Sequence, residues 1–334
     1  MMTNFLIFHT LFSLILIVIC KNFNILADKK IEKHKKYSTK INSHLIGGLL
    51  IVLFLGYYHF SIVEKPLLNL FLLLIFSIGF MADTRRINSV SQRFFLQLII
   101  VVCFVNILNI EINYTKMKFF DELLENQLIN IFFVSFCLLV LINGTNFIDG
   151  LNGIVLVYYL IVFLIVLLNL NHFIFDKVLL LNIIFVLTIL LVLNFLGLIY
   201  LGDSGSYTLS LFSGIFLITL VSNNGSISPY LIIVLLWYPC FELLFSIIRR
   251  YSKDVKTYKP DTTHLHQLIY KKVVINFKVR NNLISHLISN LIINLYNLVC
   301  FIVATKYIYN SNILIFILAI NIFLYLILYS FLKK

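Results

Sequence analysis

Residues 179–200 read LLLNIIFVLTILLVLNFLGLIY, a stretch without a single charge. About 20 apolar residues in a helix cross the hydrocarbon core of a bilayer. Runs of this kind recur along the 334-residue chain. In lipid the backbone must satisfy its own hydrogen bonds, which leaves helices or a closed barrel. The runs are continuous rather than alternating, so they select helices. The sequence therefore predicts an all-α polytopic transmembrane bundle, with eleven spans at 4–20, 45–62, 66–82, 94–110, 127–142, 151–169, 178–200, 207–222, 230–248, 283–304 and 312–331. Composition agrees: 61% of residues are hydrophobic, 12% are charged and the mean hydropathy is +1.00, where a soluble protein carries about 25% charge. With no linker, internal repeat or low-complexity segment, 1–334 reads as a single integral-membrane domain.

Positive charge sets the orientation. Of the 26 Lys and Arg residues, all but Lys65, Lys116, Lys118, Lys177 and Lys306 fall in loops after odd-numbered spans or in the C-terminal tail. That bias predicts an outside N-terminus and a cytoplasmic C-terminus. The net charge of +12 is thus one basic face. Such a face suits anionic lipid and also draws in an anionic substrate. The five cysteines lie in apolar runs without a CxxC pair, and read as small hydrophobes. The first apolar run has no basic segment before it, and bulky Ile19 precedes Cys20, so it reads as a retained helix.

The polar chemistry gathers in loops on the basic face, near 83–93, 143–150, 201–206 and 249–282. They hold Asp83, the NGTNFIDGLNG stretch 143–153, the GDSGS stretch 202–206 and KPDTTHLHQL at 259–268. Carboxylates at membrane depth are costly and tend to be functional. Oxygen-rich acids suit Mg²⁺, which takes one or two carboxylates plus substrate phosphates. A helix is expected to start near Ser204, with N–H groups and a dipole that favour an anion. Asn143, Asn146 and Asp149, spaced i, i+3, i+6, share a helical face and can read a base, ribose or sugar. His264 and His266, beside lysines, fit a diphosphate better than the i, i+4 zinc pattern. Taken singly each has a plainer use: Asp203 as a helix cap, Asp149-Gly150 as a turn, Asp83 in a charge cluster, the histidines as loop residues.

Taken in order, these loops resemble the polyprenyl-phosphate N-acetylhexosamine-1-phosphate transferase family, also called bacterial glycosyltransferase family 4. The resemblance runs from about residue 75 to 270 through Gly79–Asp83, through Asn143, Asn146, Asp149, Gly150 and Gly153, and through Gly202, Asp203, Gly205 and Ser206. It continues in Pro239 and Glu242 with Arg249 and Arg250, and in Pro260, Asp261, His264, Leu265 and His266. It implies transfer of a sugar-1-phosphate, from a UDP-linked N-acetylhexosamine, to undecaprenyl phosphate on the cytoplasmic face of a bacterial inner membrane. UMP is released and a cell-envelope glycan is started. It further implies Mg²⁺, with Mn²⁺ as the alternative, on Asp203 and Asp83. Asp83, Asp203, His264 and His266 would be catalytic, Asp83 as base or orienting group for the lipid phosphate. Asn143, Asn146, Asp149, Arg249, Arg250 and Lys259 would contact substrate. The partners implied are the UDP-sugar, undecaprenyl phosphate and the bilayer, with a homodimer left open and nucleic acid excluded.

The chain departs from the family pattern at Ala82, Asn152, Glu242 and Gln267, where Asp, Asp, Asp and a third His are frequent. Gln267 points away from the peptidoglycan branch, and the chain length with the loop from Pro260 to His266 points to the O-antigen or teichoic acid side. Two other readings compete. One is a non-catalytic family member. The other is a lipid-linked sugar transporter, whose substrate site would lie near the bilayer midplane.

Overall fold

The computed structural model describes residues 2–23, 25–27, 43–61, 66–112, 114–252, 263–276 and 282–333. These form fourteen α-helices: α1 (Met2–Phe23), α2 (Gly47–Ser61), α3 (Pro66–Asp83), α4 (Val90–Ile107), α5 (Lys118–Leu124), α6 (Gln127–Ile148), α7 (Ile154–Asn169), α8 (Lys177–Phe195), α9 (Gly202–Ser222), α10 (Tyr230–Leu235), α11 (Trp237–Tyr251), α12 (Leu265–Asn276), α13 (Asn282–Thr305) and α14 (Ser311–Lys333). Eight of them, α1, α3, α4, α6, α8, α9, α13 and α14, are long and apolar enough to cross a membrane. Helices α2 and α7 are apolar but shorter. Many large side chains on α1, α4, α13 and α14 are exposed, as lipid-facing surfaces require.

Each of the eleven predicted spans contains a helix among the described residues, but the seventh leaves its helix after Phe195 and the ninth is broken at Leu236 into α10 and α11. Pro239 has no N–H to give the carbonyl four residues back, that of Leu235. The Tyr158 hydroxyl donates to this carbonyl at 2.8 Å instead, which settles a group that lipid could not. Two further helices, α5 and α12, arise where the sequence reading placed loops.

Helix α9 is the axis of the bundle: almost wholly buried, it packs on α2, α3 and α6. The chain leading into it is extended and pairs with residues 43–47. Tyr200 N–H donates to the His44 carbonyl at 2.8 Å, and Gly47 N–H donates to that of Tyr200 at 3.0 Å. The start of α9 is thereby fixed against α2 before its first turn begins.

The hydrogen bonds between helix ends sort into two faces. The end of α3, the start of α4, the end of α6 and the start of α9 meet through Asp83, Arg93, Asn146 and Asp203. At the opposite end, Tyr58 donates to Asp176 before α8, Ser222 at the end of α9 donates to the Glu111 carbonyl, and Asn224 donates to that of Phe173. The alternation is that of antiparallel helices, and it is independent of the charge bias.

Candidate functional site

The start of α9 is built by a residue far away in sequence. A helix leaves its first N–H groups without internal partners. Here the Asp83 carboxylate supplies them: Oδ1 accepts from Asp203 N–H at 2.8 Å, and Oδ2 accepts from Ser204 N–H at 3.0 Å and from its hydroxyl at 2.7 Å. The anion expected at this helix N-terminus is therefore an acid of the chain itself. The approach is close enough to require Gly202, whose φ is +74° and where a Cβ would come within 2.6 Å of Asp83 Oδ2. The helix begins at Gly202 rather than Ser204, which puts Asp203 in its first turn.

Fixed there, Asp203 meets two further helices. Its Oδ2 accepts from Arg93 Nη1 of α4 at 2.7 Å, and its Oδ1 accepts from Asn146 Nδ2 of α6 at 2.8 Å. The side chains of Arg93 and Asp203 are 22% and 16% exposed, so this ion pair is partly open at the helix ends. Asn146 also donates to the Ser206 hydroxyl at 3.3 Å. Asn143, three residues earlier, donates to Gln97 Oε1 of α4 at 2.9 Å. Helix α6 runs through Ile148, so Asn143 and Asn146 lie on its last turns and not in a loop, while Asp149 is its non-helical C-cap. Asp149 is half-buried and borders a cavity of about 30 Å³ with Gly150, Leu151, Asn152, Asn194, Tyr200, Leu201 and Gly202. Among the described residues, Asn152 Nδ2 and Asn194 Oδ1 have no hydrogen-bond partner.

The histidines close the other side. His264 precedes α12 and its carbonyl accepts from Gln267 N–H at 3.0 Å. The Gln267 side chain reaches back toward His264 N–H at 3.4 Å, a capping-box arrangement that gives this departure from the family pattern a local use. His264 Nδ1 lies 2.9 Å from Glu242 Oε1, and the other oxygen of this fully buried acid accepts from Tyr325 at 2.7 Å. The His264 ring stands edge-on to Phe147 at 5.3 Å, next to Asn146 in sequence, and stacks on His266 at 5.7 Å. His266 lies over the end of α6, since a side chain at Gly150 would meet its Nε2 at 2.7 Å. A chain of contacts thus runs from Asp83 through Asp203, Asn146 and Phe147 to the buried His264, and on through the buried His266 to Gly150.

Arg249 and Arg250 are buried at the end of α11. Arg249 donates to Tyr329 at 2.6 Å and to the Thr263 carbonyl at 2.7 Å, and lies over the rings of Phe245 and Tyr329. Those bonds tie α11 to α14 and to the residue preceding His264. Lys259, also expected to touch substrate, lies outside the described residues. Arg93 and Gln97 entered the sequence reading only through charge, or not at all. Their spacing of one helical turn, opposite Asn143 and the GDSGS turn, is the signal that pairs them with the site.

Among the described residues no group of three or more His, Cys, Asp or Glu forms a metal cage. The nearest donor is instead the partly exposed carboxylate of Asp203, which is paired with the Arg93 guanidinium. That chemistry fits a hard ion shared with substrate phosphates.

The family model described as Glycosyl transferase family 4 matches residues 66–221. No curated protein matches the chain. The matched stretch carries Asp83, Arg93, Asn143, Asn146, Asp149 and Asp203, and stops short of Glu242, His264 and His266. Over that stretch, just under half of the chain, this helical membrane protein is similar to glycosyl transferase family 4, a family of transferases.

Proposed function

We propose that the protein transfers a sugar-1-phosphate from a UDP-linked N-acetylhexosamine to undecaprenyl phosphate at the cytoplasmic face of a bacterial inner membrane. The observation that carries this is the convergence of three helices on the partly exposed Asp203, linked through Asn146 and Phe147 to two histidines. The topology proposed is eleven crossings, with α2, α7 and the α10–α11 pair joining the eight long spans. The N-terminus lies outside and the site faces the cytoplasm. The sorting of helix-end bonds into two faces supports that alternation.

In the reaction, a phosphate oxygen of the lipid attacks the sugar-bearing phosphorus. The bond to the bridging oxygen breaks, and UMP leaves with the electron pair. Mg²⁺, or Mn²⁺ in its place, would be held by Asp203 and would neutralise the diphosphate. Arg93 is placed to release Asp203 and follow the phosphate charge. Asp83 keeps the start of α9, and so Asp203, in register. The geometry favours that positioning role over the base or metal-ligand role that the resemblance implies, since its oxygens already accept from α9. Asn146 and Asp149 orient the nucleotide-sugar, with Asn143 held behind them by Gln97. His264 and His266 hold the diphosphate, the first fixed in direction by Glu242. Lys259 and Arg250 remain substrate contacts in this proposal, whereas the bonds of Arg249 favour a scaffolding role.

The test is UMP release and lipid-linked product formation by the purified protein with undecaprenyl phosphate, Mg²⁺ and a panel of UDP-sugars. Product that requires Mg²⁺ and vanishes in Asp203→Ala supports the reading and names the sugar. Absence of product from every donor, with folded protein, favours the non-catalytic member.

A further inference from the structure

Helix α13 lies outside the matched family segment and is long and apolar enough to cross a membrane, yet one of its stripes is polar. His286, Asn290, Asn294 and Asn297 recur at helical spacing and are all buried. Buried polar side chains at membrane depth are costly unless they are bonded. Three of these four spend their bonds on the backbone that leads out of the Asp149 turn. His286 Nδ1 accepts from Asn152 N–H at 3.1 Å. Asn290 Nδ2 donates to the Asn152 carbonyl at 3.3 Å, and Asn294 Nδ2 donates to that of Ile154 at 3.4 Å. Asn294 also donates to Asn290 Oδ1, which joins the stripe into one network. Gly153, between the tied residues, has φ +77°, and a Cβ there would approach Asn290 Nδ2 to 3.1 Å. The fourth residue, Asn297, accepts from Trp237 Nε1 at 2.9 Å and does not serve the turn.

We propose that the polar stripe of α13 is a splint: His286, Asn290 and Asn294 are positioning residues that hold the 149–154 turn, and through it Asp149, in the geometry that binds the donor. Irregular backbone inside a membrane protein persists only where protein groups replace water as partners. These three side chains are such partners, and none of them lines the small polar cavity that the turn borders. The donor-binding part of the inference rests on the transferase reading; the mechanical part does not.

The experiment uses the full chain in lipid nanodiscs, as wild type, His286→Leu, His286→Asn and Asn297→Leu. Amide hydrogen exchange over 149–154, thermal unfolding, and KM and kcat with UDP-N-acetylglucosamine and undecaprenyl phosphate are read in each. His286→Leu is expected to speed exchange at Asn152 about tenfold, the scale of one lost hydrogen bond. It should raise the donor KM about fivefold to tenfold and leave kcat within about twofold. His286→Asn, whose Oδ1 stands near where the imidazole Nδ1 was, should restore both. Asn297→Leu should lower the unfolding temperature and leave exchange and KM at wild-type values. Should His286→Leu not fold, Asn290→Ala removes one tie to Asn152 and reads the same exchange. Wild-type exchange in the folded turn variants, or an equal KM rise in Asn297→Leu, would overturn the splint. If the wild type turns over no donor, the transferase reading falls, and the exchange comparison still decides the mechanical claim.

Discussion

Asp83 Oδ1 accepts the backbone N–H of Asp203 at 2.8 Å, so an acid at the end of α3 caps the helix that presents another acid to the site. Two carboxylates that the sequence suggests as equals have different partners. One is spent inward on backbone, and the other faces Arg93 and Asn146.

Asp83→Ala removes the cap of α9. Loss of a helix N-cap costs about 0.5–2 kcal/mol, so a lower unfolding temperature is expected together with lost transferase activity. Asp83→Asn, which keeps one acceptor but loses the charge, should fall between the two. A variant with wild-type thermal stability and no activity would return Asp83 to a direct chemical role.

Arg93→Met takes away the cation that now holds Asp203 Oδ2. A charge competing for the same oxygen weakens the hold of a metal. The half-saturating Mg²⁺ concentration for UMP release should therefore drop severalfold, even as kcat falls. An unchanged Mg²⁺ requirement would show that Asp203 does not carry the ion.

Glu242→Ala leaves His264 and Tyr325 facing each other across a fully buried gap. Removing one partner of a buried pair costs about 3–5 kcal/mol. A large loss of thermal stability is expected, read by unfolding in detergent. Glu242→Gln keeps the shape and should cost less in stability while still reducing activity, because the direction of His264 is no longer fixed by charge.

Gly202→Ala meets two obstacles at once, a backbone at φ +74° and the Asp83 carboxylate within 2.6 Å. A non-glycine residue in the left-handed region costs on the order of 1 kcal/mol. The loss should exceed that figure, and the cap should be displaced. Equal stability and activity in this variant would mean that the start of α9 tolerates a shift away from Asp83.

The helical class, the places of the apolar spans and the one-sided grouping of Asp83, Asp149, Asp203, His264 and His266 were legible in the sequence. Apolar runs and charge bias are local signals, and the bilayer acts on them directly. The break at Leu236 was also present in the letters, as Pro239, but only the Tyr158 hydroxyl at the Leu235 carbonyl shows how the break is accommodated. Helix α6 outran its apolar run because Asn143 and Asn146 have polar partners, Gln97 and Asp203, on neighbouring helices. What each polar side chain does was left to the tertiary structure. A carboxylate, an amide or a guanidinium has several satisfying partners, and packing chooses among them over separations from 22 to 140 residues. Asp83 became a cap, Arg93 a counter-ion, Glu242 a brace for His264, and the asparagines of α13 the hold on a distant turn, because lipid offers those groups no other partners.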